Sequence, residues 1–240
     1  MGKPIFKNLT RMAFSPFRER GVYQTLRSLR AVLYARRQER AEGFDRRYGT
    51  DTDRRITCAD LRAEGPDVPP LWRYWPTLQR PFRRLLGAAD VRAEEFVFVD
   101  LGSGKGRVLL LASDLPFLRI VGVELSPALH AVAMRNLRAY RSPRQRCTRF
   151  ELVLTDAADY QPPVENLLVY LFQPFPRETL AAVLANLERS LAQHPRRVLI
   201  AYLNPLFHDL IIDTGRFVVR AQGAAASAGE FAWAVYENRR

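Results

Sequence analysis

The clearest chemical signal in this sequence is a short run of glycines. The run reads Asp100-Leu-Gly-Ser-Gly-Lys-Gly106 and directly follows the apolar residues 96–99. Glycine has no side chain to hold a ligand away, and a glycine-rich turn that opens a helix brings backbone N–H groups close to a bound molecule. The pattern predicts a ligand-binding turn between a strand and a helix, with Gly102, Ser103, Gly104 and Gly106 as candidate binding residues.

The spacing of the glycines separates three classes of ligand-binding loop. A phosphate loop of the form Gly-x-x-x-x-Gly-Lys-Ser/Thr does not fit, because Gly106 follows Lys105 and Val99 stands five positions before Gly104. The dinucleotide pattern Gly-x-Gly-x-x-Gly does not fit either, since the third glycine comes one residue early. The glycine spacing therefore argues against a nicotinamide oxidoreductase.

The order Asp-x-Gly-x-Gly-x-Gly, from Asp100 to Gly106, resembles motif I of the class I (seven-β-strand) S-adenosylmethionine-dependent methyltransferases. The resemblance covers about residues 71–240 and implies S-adenosylmethionine (SAM) as the cofactor. SAM carries a positive sulfonium and an amino group but no phosphate, so carboxylates near the turn would attract it.

The resemblance also implies a role for an acid after each of three successive predicted strands. Asp100 would face the methionine end of SAM, Glu124 would accept the two ribose hydroxyls, and Asp156 would accept the adenine amino group. Leu125 and Ala157, next to the last two acids, are expected to contact the cofactor as well. The alternative is a tight turn whose acids only cap helices.

Residues 74–77, Tyr-Trp-Pro-Thr, resemble the Tyr-x-Pro-Thr segment of a subgroup that includes lysine methyltransferases. In that subgroup the segment lies against the methionine end of the cofactor, which makes Tyr74 and Thr77 further candidates. The alternative is an amphipathic helix over residues 71–86, interrupted by Pro76 and Pro81.

The methyl acceptor is expected beyond the carboxyl end of the fourth predicted strand, where the sequence reads Tyr170-Leu-Phe-Gln-Pro-Phe-Pro176. This segment resembles the Asn/Asp-Pro-Pro-Tyr/Phe motif of amino-group methyltransferases. It departs from the motif at Gln173 and in having one proline before Phe175, which weakens the case for a nucleobase. Gln173 is the candidate to orient an amine, with Phe175 stacking beside it. The alternative is a proline-bent strand end that packs on the next helix.

A lysine acceptor would have to lose a proton, which costs about 4–5 kcal/mol at pH 7 for an ordinary lysine. Asp51 and Asp53, in the loop at residues 48–53, are candidates to close over the cofactor and supply a nearby carboxylate. They are equally well explained as solvent-facing turn residues. The three histidines are isolated and show no metal-ligand spacing, so we predict no metal site; His208 is a candidate for the edge of the pocket.

The elements that must position these residues alternate between strands and helices. Apolar runs predict strands at 96–99, 119–124, 150–154, 167–172 and 198–202. Helical patterns lie between them at 106–113, 127–140 and 176–192. The alternation predicts a Rossmann-like, doubly wound α/β sheet. Two last strands, 216–221 and 231–237, have no helix between them and must pair antiparallel. We therefore expect seven strands, one of them antiparallel, in a methyltransferase domain over residues 71–240.

The N-terminal part, residues 1–70, is predicted to be a basic helical cap with a cofactor-covering loop. The 240-residue chain has 37 basic and 25 acidic residues, a net charge of +12, and residues 1–40 contain ten basic and two acidic ones. This basic segment either binds a polyanion, such as RNA or an anionic membrane surface, or is a solvated extension.

Composition narrows the class of protein further. Apolar residues make up 48% of the chain, enough for a large core, and two cysteines do not form a disulfide framework. No apolar run approaches the roughly 20 residues of a membrane-spanning helix, and the arginine-rich start does not look like a secretory signal. We therefore expect a cytoplasmic protein.

Together these patterns predict a SAM-dependent methyltransferase that modifies a nucleophilic atom, with a nitrogen of a protein side chain or small amine favoured as acceptor. Two alternatives stay open. One is an RNA methyltransferase, favoured by the basic N-terminal segment. The other is a catalytically silent module with the same fold that binds a partner.

Overall fold

The structure is a computed structural model that describes residues 43–53, 74–172, 175–225 and 230–239. In these ranges seven strands form one sheet in the order β3-β2-β1-β4-β5-β7-β6. They are β1 (Phe96–Leu101), β2 (Arg119–Glu124), β3 (Phe150–Leu154), β4 (Asn166–Phe172), β5 (Val198–Leu203), β6 (Phe217–Gly223) and β7 (Trp233–Asn238). The seven predicted strands are confirmed, with ends that agree to within two residues.

Strand directions follow the prediction as well. The strands β1 to β5 are parallel: β1 pairs with β2 and β4, β2 also pairs with β3, and β4 also pairs with β5. Helices cross from β1 to β2, from β2 to β3 and from β4 to β5, as parallel pairing of consecutive neighbours requires. In contrast, β7 pairs antiparallel with both β5 and β6. Within the described sheet β7 is thus the one reversed strand, as expected for two strands joined without a helix.

Helices flank the sheet. They are α1 (Phe44–Tyr48), α2 (Gln79–Ala89), α3 (Arg107–Ala112), α4 (Pro127–Ala139), α5 (Arg177–Gln193) and α6 (His208–Asp213). The predicted helices at α3, α4 and α5 are confirmed, and α4 begins as expected, with Pro127 in its first turn and the Ser126 hydroxyl accepting from the Leu129 N–H. None of the helices in the described ranges has the length and apolar character needed to cross a membrane.

Side chains alternate between the two faces of the sheet, and each face has its own core. Phe98 and Tyr170 belong to the first face, which is covered by α1, α2 and α3. Val99 and Val169 belong to the second face, covered by α5 and α6. Asp100 is two residues beyond Phe98, so its side chain lies on the first face, at the carboxyl edge of the sheet.

One predicted element is partly wrong. Residues 74–78 are not helical and α2 begins only at Gln79, so of the predicted helix over residues 71–86 the part at 79–86 is confirmed and the part at 74–78 is not formed. Pro76 has no N–H to donate and disfavours a helical residue before it. Pro81 is tolerated because it lies in the first turn of α2, where N–H groups have no partner within the helix. Of the predicted N-terminal cap over residues 1–70, residues 43–53 are described and the rest lies outside the described ranges.

Candidate functional site

The glycine-rich turn joins β1 to α3, which confirms the predicted strand–turn–helix arrangement. Its three glycines, Gly102, Gly104 and Gly106, have φ angles of 82°, 54° and 81°. These values lie in the left-handed region, which side-chain-bearing residues rarely adopt. The glycines are therefore required by the backbone path of the turn itself.

The N–H groups of this turn are engaged within the protein. Gly102 and Ser103 both donate to the Val123 carbonyl at 2.9 Å, and Gly106 donates to the Ser103 carbonyl at 2.9 Å. The Gly104 N–H donates to Glu124 Oε2 at 2.7 Å. A phosphate-binding turn needs such N–H groups directed at the ligand. The expectation that this turn presents its N–H groups to a ligand is thus not met at these four positions.

Two carboxyl groups are buried beside the turn. Asp100 is 3% exposed and Glu124 is 8% exposed. Burial, followed by repulsion from Glu124, raises the pKa of Asp100 well above its usual range. A cation placed near both groups would relieve this repulsion, whereas an anion would add to it. These two carboxyl groups therefore favour a positively charged ligand beside them.

Glu124 is held in one orientation by the backbone. Besides the bond from Gly104, its Oε1 accepts from the Ser126 N–H at 2.8 Å. A carboxylate can accept about four hydrogen bonds, so these two bonds fix the group without by themselves exhausting its capacity. Its position at the end of β2 is the one expected for a ribose-binding acid, and its role toward a ribose stays a prediction.

The third predicted acid follows β3. Asp156 is half-buried, and its Oδ1 accepts from the Ala158 N–H at 2.8 Å, which closes a tight turn. Ala157 is buried at 7% exposure, whereas Leu125 is 46% exposed. The structure therefore places these three residues at the carboxyl edge of the sheet, where the sequence predicted them; their contacts with an adenine stay a prediction.

The segment at residues 74–77 crosses the first face next to the turn. A Cβ added to Gly104 would lie 2.5 Å from the Tyr74 ring, so this ring rests directly on the turn. Thr77 is buried, and its hydroxyl lies 2.9 Å from the Tyr170 hydroxyl of β4. Thr77 thus ties the segment to the strand next to Asp100.

Residues 50–53, which we call the Asp51 turn, lie over the same region. The Asp45 carboxylate holds this turn together by accepting from the hydroxyls of Thr50 and Thr52 and from the N–H groups of Thr52 and Asp53. Burial raises the pKa of Asp45, but hydrogen bonds to its carboxylate lower it more, so the pKa lies below its usual value. Burial, and then the neighbouring Asp45, raise the pKa of Asp53. The Tyr74 hydroxyl donates to the Thr52 carbonyl at 2.7 Å, which joins the Asp51 turn to residues 74–77.

Two side chains that sequence reasoning missed anchor the Asp51 turn. Asn136 of α4 is buried; its Oδ1 accepts from the Asp51 N–H, and its Nδ2 donates to the carbonyls of Asp51 and Lys105. Lys105, 1% exposed, places its Nζ 3.0 Å from Asp51 Oδ1 and 5.6 Å from the centre of the Tyr74 ring. Asp51 is therefore an ion-pair partner of the glycine-rich turn, and a role for it toward an acceptor stays a prediction.

The predicted acceptor residues are placed less favourably. Gln173 lies outside the described residues. Phe175 is half-buried against the core of the second face, the face opposite Asp100. His208 Nδ1 lies 2.9 Å from the Tyr236 hydroxyl, and burial lowers the pKa of His208. Their contact with an acceptor stays a prediction.

No protein-family model matches the chain, and a search of curated proteins finds no significant relative. Solved structures do match. One is the Escherichia coli protein yhhF, provisionally named a methyltransferase, with 18% identity, a TM-score of 0.51, and coverage of 73% of this chain and 90% of that one. Another is precorrin-6y C5,15-methyltransferase from Geobacter metallireducens, with 17% identity, a TM-score of 0.50, and coverage of 68% and 90%. The chain therefore has the fold of the class I SAM-dependent methyltransferases.

Proposed function

We propose that this protein is a methyltransferase that uses SAM and transfers its methyl group to a nitrogen nucleophile. The observation that supports it most directly is the electrostatic character of the glycine-rich turn. Four of its N–H groups are engaged internally, and two buried carboxyl groups, Asp100 and Glu124, lie beside it. A dinucleotide would bring phosphates to a turn that offers acids, whereas SAM would bring a sulfonium and an ammonium group.

The described residues fit such a ligand in two further respects. The Ser103 hydroxyl oxygen is buried and has no hydrogen-bond partner among the described residues, so it is available to a ligand. Glu124 ends β2 and Asp156 follows β3, its parallel neighbour, so both lie at the edge where ligands bind in open α/β sheets. In this proposal Asp100 and Ser103 hold the methionine part, Glu124 the ribose, and Asp156, Ala157 and Leu125 the adenine.

The protein's own contribution to the reaction is positioning and electrostatics. When bound, SAM supplies a methyl carbon activated by its sulfonium; an amine takes this methyl group and loses a proton to water, while the sulfur keeps the electron pair of the broken C–S bond. Asp100 and Glu124 repel each other when both are ionised, so they favour a cation beside the glycine-rich turn. Tyr74 and the Asp51 turn cover the glycine-rich turn and exclude water from it.

A nitrogen acceptor is supported by the position of residues 74–77. Their resemblance to the Tyr-x-Pro-Thr segment of a lysine methyltransferase subgroup is accompanied by a matching placement, with Tyr74 on Gly104 and Thr77 on Tyr170. A protein side chain or a small amine is therefore our first choice of acceptor.

Calorimetry with S-adenosylhomocysteine, the product form of the cofactor, tests the proposal. We expect saturable binding to the full chain and at least about tenfold weaker binding to the Glu124→Gln variant, because charge-assisted hydrogen bonds contribute about 1.5–3 kcal/mol. The matched control is Glu94→Gln, an exposed acid just before β1 at the opposite edge of the sheet. Absence of binding to the unmodified chain would contradict the proposal and favour a catalytically silent module.

An RNA acceptor is the second candidate, and one observation favours it. Residues 125–150 contain six arginines and no acid, and all six arginines are exposed. Of the net charge of +12, residues 1–40 supply +8 and residues 125–150 supply +6, which leaves −2 for the remaining residues. The Phe44 ring, shortly after the first basic segment, stacks on Tyr140 within the second at 6.1 Å. The six exposed arginines of residues 125–150 would attract a polyanion.

A further inference from the structure

Three aromatic rings from separate parts of the chain meet at the carboxyl edge of the sheet. They are Trp75 of the segment at residues 74–77, Phe172 at the end of β4, and Phe231 just before β7. The centres of the Phe172 and Phe231 rings lie 5.1 Å apart, and those of Trp75 and Phe231 lie 6.4 Å apart, edge to face. We call this group the edge aromatic cluster.

The edge aromatic cluster lies on the same face of the sheet as Asp100. Asp100 is opposite Tyr170 in the β1–β4 pairing, and Phe172 is two residues beyond Tyr170 on the same face. Neighbouring strands are about 4.8 Å apart and two residues span about 6.6 Å along a strand, which places the Phe172 Cα about 8 Å from that of Asp100. Trp75 precedes Thr77, whose hydroxyl contacts Tyr170. The cluster is therefore next to the proposed methionine end of the cofactor site.

Exposure separates this cluster from the three aromatic residues at the centre of the first face. Phe82, Phe98 and Tyr170 pack on one another and are at most 2% exposed. Trp75, Phe172 and Phe231, in contrast, are all half-buried. The first three form core, whereas the edge aromatic cluster combines ring packing with access for a ligand.

We propose that the edge aromatic cluster is the acceptor subsite and that it binds the cationic ammonium group of an aliphatic amine. This rests on the proposed methyltransferase function, and it specifies the class of acceptor. Aromatic faces carry partial negative charge and attract ammonium groups, including methylated ones, by cation–π interaction. An acceptor held here lies beside the methyl donor. The bound ammonium first loses a proton to water, because only the neutral amine has the lone pair that takes the methyl group. The methylated product is again a cation and keeps its affinity for the rings, which allows more than one methyl group to be added.

The charged groups around the cluster agree with a cationic ligand. Glu230, adjacent to Phe231, has a side chain that is 9% exposed, and its Oε2 lies 3.4 Å from Arg84. The positive charge of Arg84 is thus balanced by the negative charge of Glu230. Lys105, whose Nζ lies 5.6 Å from the ring of Tyr74 next to Trp75, is likewise paired with an acid, Asp51. Asp100 is on the same face, and its carboxyl group would attract a cation when ionised.

A pair of probes that differ only in charge tests the proposal. Choline carries a quaternary ammonium, and 3,3-dimethylbutan-1-ol is its neutral counterpart of the same shape. Both are titrated into the full ¹⁵N-labelled chain, and the Trp75 indole N–H signal, identified by its loss in the Trp75→Phe variant, is followed. We expect choline to shift this signal with millimolar, saturable binding and the neutral alcohol to bind at least about tenfold more weakly.

Matched variants locate the binding. Phe231→Leu, which keeps an apolar side chain but removes the ring, is expected to weaken choline binding about tenfold. The control is Phe150→Leu, which changes a half-buried phenylalanine on β3 at the opposite edge and should leave choline binding unchanged. No shift with choline, equal binding of both probes, or equal loss in both variants would each overturn the subsite.

The same samples are measured with S-adenosylhomocysteine, so the two proposals fail separately. If the chain binds S-adenosylhomocysteine but not choline, the acceptor subsite is wrong and the methyltransferase proposal stands. If it binds choline but not S-adenosylhomocysteine, the ammonium site stands as a binding site and the methyltransferase proposal is wrong.

Discussion

Asn136 and Asp51 exchange two hydrogen bonds although 85 residues separate them in the sequence. The Asp51 N–H donates to Asn136 Oδ1 at 2.8 Å, and Asn136 Nδ2 donates to the Asp51 carbonyl at 3.1 Å. The side chain of Asn136 thus pairs with the backbone of Asp51 as a neighbouring strand would. Because Asn136 Nδ2 also donates to the Lys105 carbonyl at 2.9 Å, one amide group connects α4, the Asp51 turn and the glycine-rich turn.

Replacing Asn136 by alanine should release the Asp51 turn. Loss of three buried hydrogen bonds is expected to lower the free energy of unfolding by about 2 kcal/mol and to weaken S-adenosylhomocysteine binding. Urea unfolding, calorimetry and hydrogen exchange of the amides at residues 50–53 measure these effects. The matched control is Asn166→Ala, since Asn166 also bonds to two backbone groups, those of Glu95 and Arg197, at the other edge of the sheet. Equal exchange at residues 50–53 in both variants would contradict an anchoring role for Asn136.

The contact between Gly104 and Tyr74 predicts a specific loss in Gly104→Ala. The new methyl group would lie 2.5 Å from the Tyr74 ring, which would have to move and would release its bond to Thr52. We expect at least tenfold weaker binding of S-adenosylhomocysteine by calorimetry. Gly49→Ala is the control, because Gly49 also has a positive φ, of 67°, but a Cβ there meets nothing within 4 Å. If both variants bind S-adenosylhomocysteine equally well, the clash at Gly104 has no consequence for the site.

The raised pKa of Asp100 predicts that cofactor binding depends on pH. Burial and then Glu124 raise this pKa in the free protein, and a bound cation would lower it. Binding of a cation therefore releases a proton at pH values between the two pKa values, and affinity increases as pH rises through that range. Calorimetry in buffers of different ionisation enthalpy measures the released proton. In the Asp100→Asn variant the proton release should disappear, and its persistence would assign it to another group.

Salt dependence distinguishes an RNA acceptor from an amine. If the exposed arginines of residues 125–150 contact phosphates, the logarithm of RNA affinity should fall steeply and linearly with the logarithm of salt concentration. Each contacting arginine that is replaced, for example in Arg138→Gln or Arg141→Gln, should reduce the slope by about 1. Fluorescence anisotropy with a labelled RNA, repeated at several salt concentrations, measures this slope. Arg177→Gln, on the opposite side of the sheet and paired with Asp209, is the control. A flat salt response would remove the RNA candidate.

The sheet could be predicted almost completely because its signals are local. Continuous apolar runs such as 119–124 identify buried strands, and the missing helix between the last two strands fixes their antiparallel pairing. The short helix α6 was missed because six residues, His208–Asp213, do not show a full period of apolar positions. The predicted helix over residues 71–86 starts too early because its apolar pattern outweighed the effect of Pro76, and only the part from Gln79 onward is helical.

Within the candidate site, residues on the loops after the strands could be predicted and residues anchoring distant segments could not. Glu124 and Asp156 end strands, so their edge position follows from the topology. The partnership of Asn136 with Asp51 depends on where residues 50–53 return to the domain, which no local pattern encodes. Alternation along β4 places Tyr170 and Phe172 on the face of Asp100, whereas Phe175 packs on the other face; its role toward an acceptor stays a prediction.

The insertion of β7 between β5 and β6 has a consequence for the order of assembly. Within the described sheet β6 pairs with β7 and with no earlier strand. During synthesis β6 leaves the ribosome before β7, so its backbone groups and the exposed Val218 and Val219 must wait without a pairing partner until the later strand arrives. The β6–β7 end of the sheet can complete its folding only after translation has passed residue 238. Until then, β6 is the strand that chaperones would have to protect.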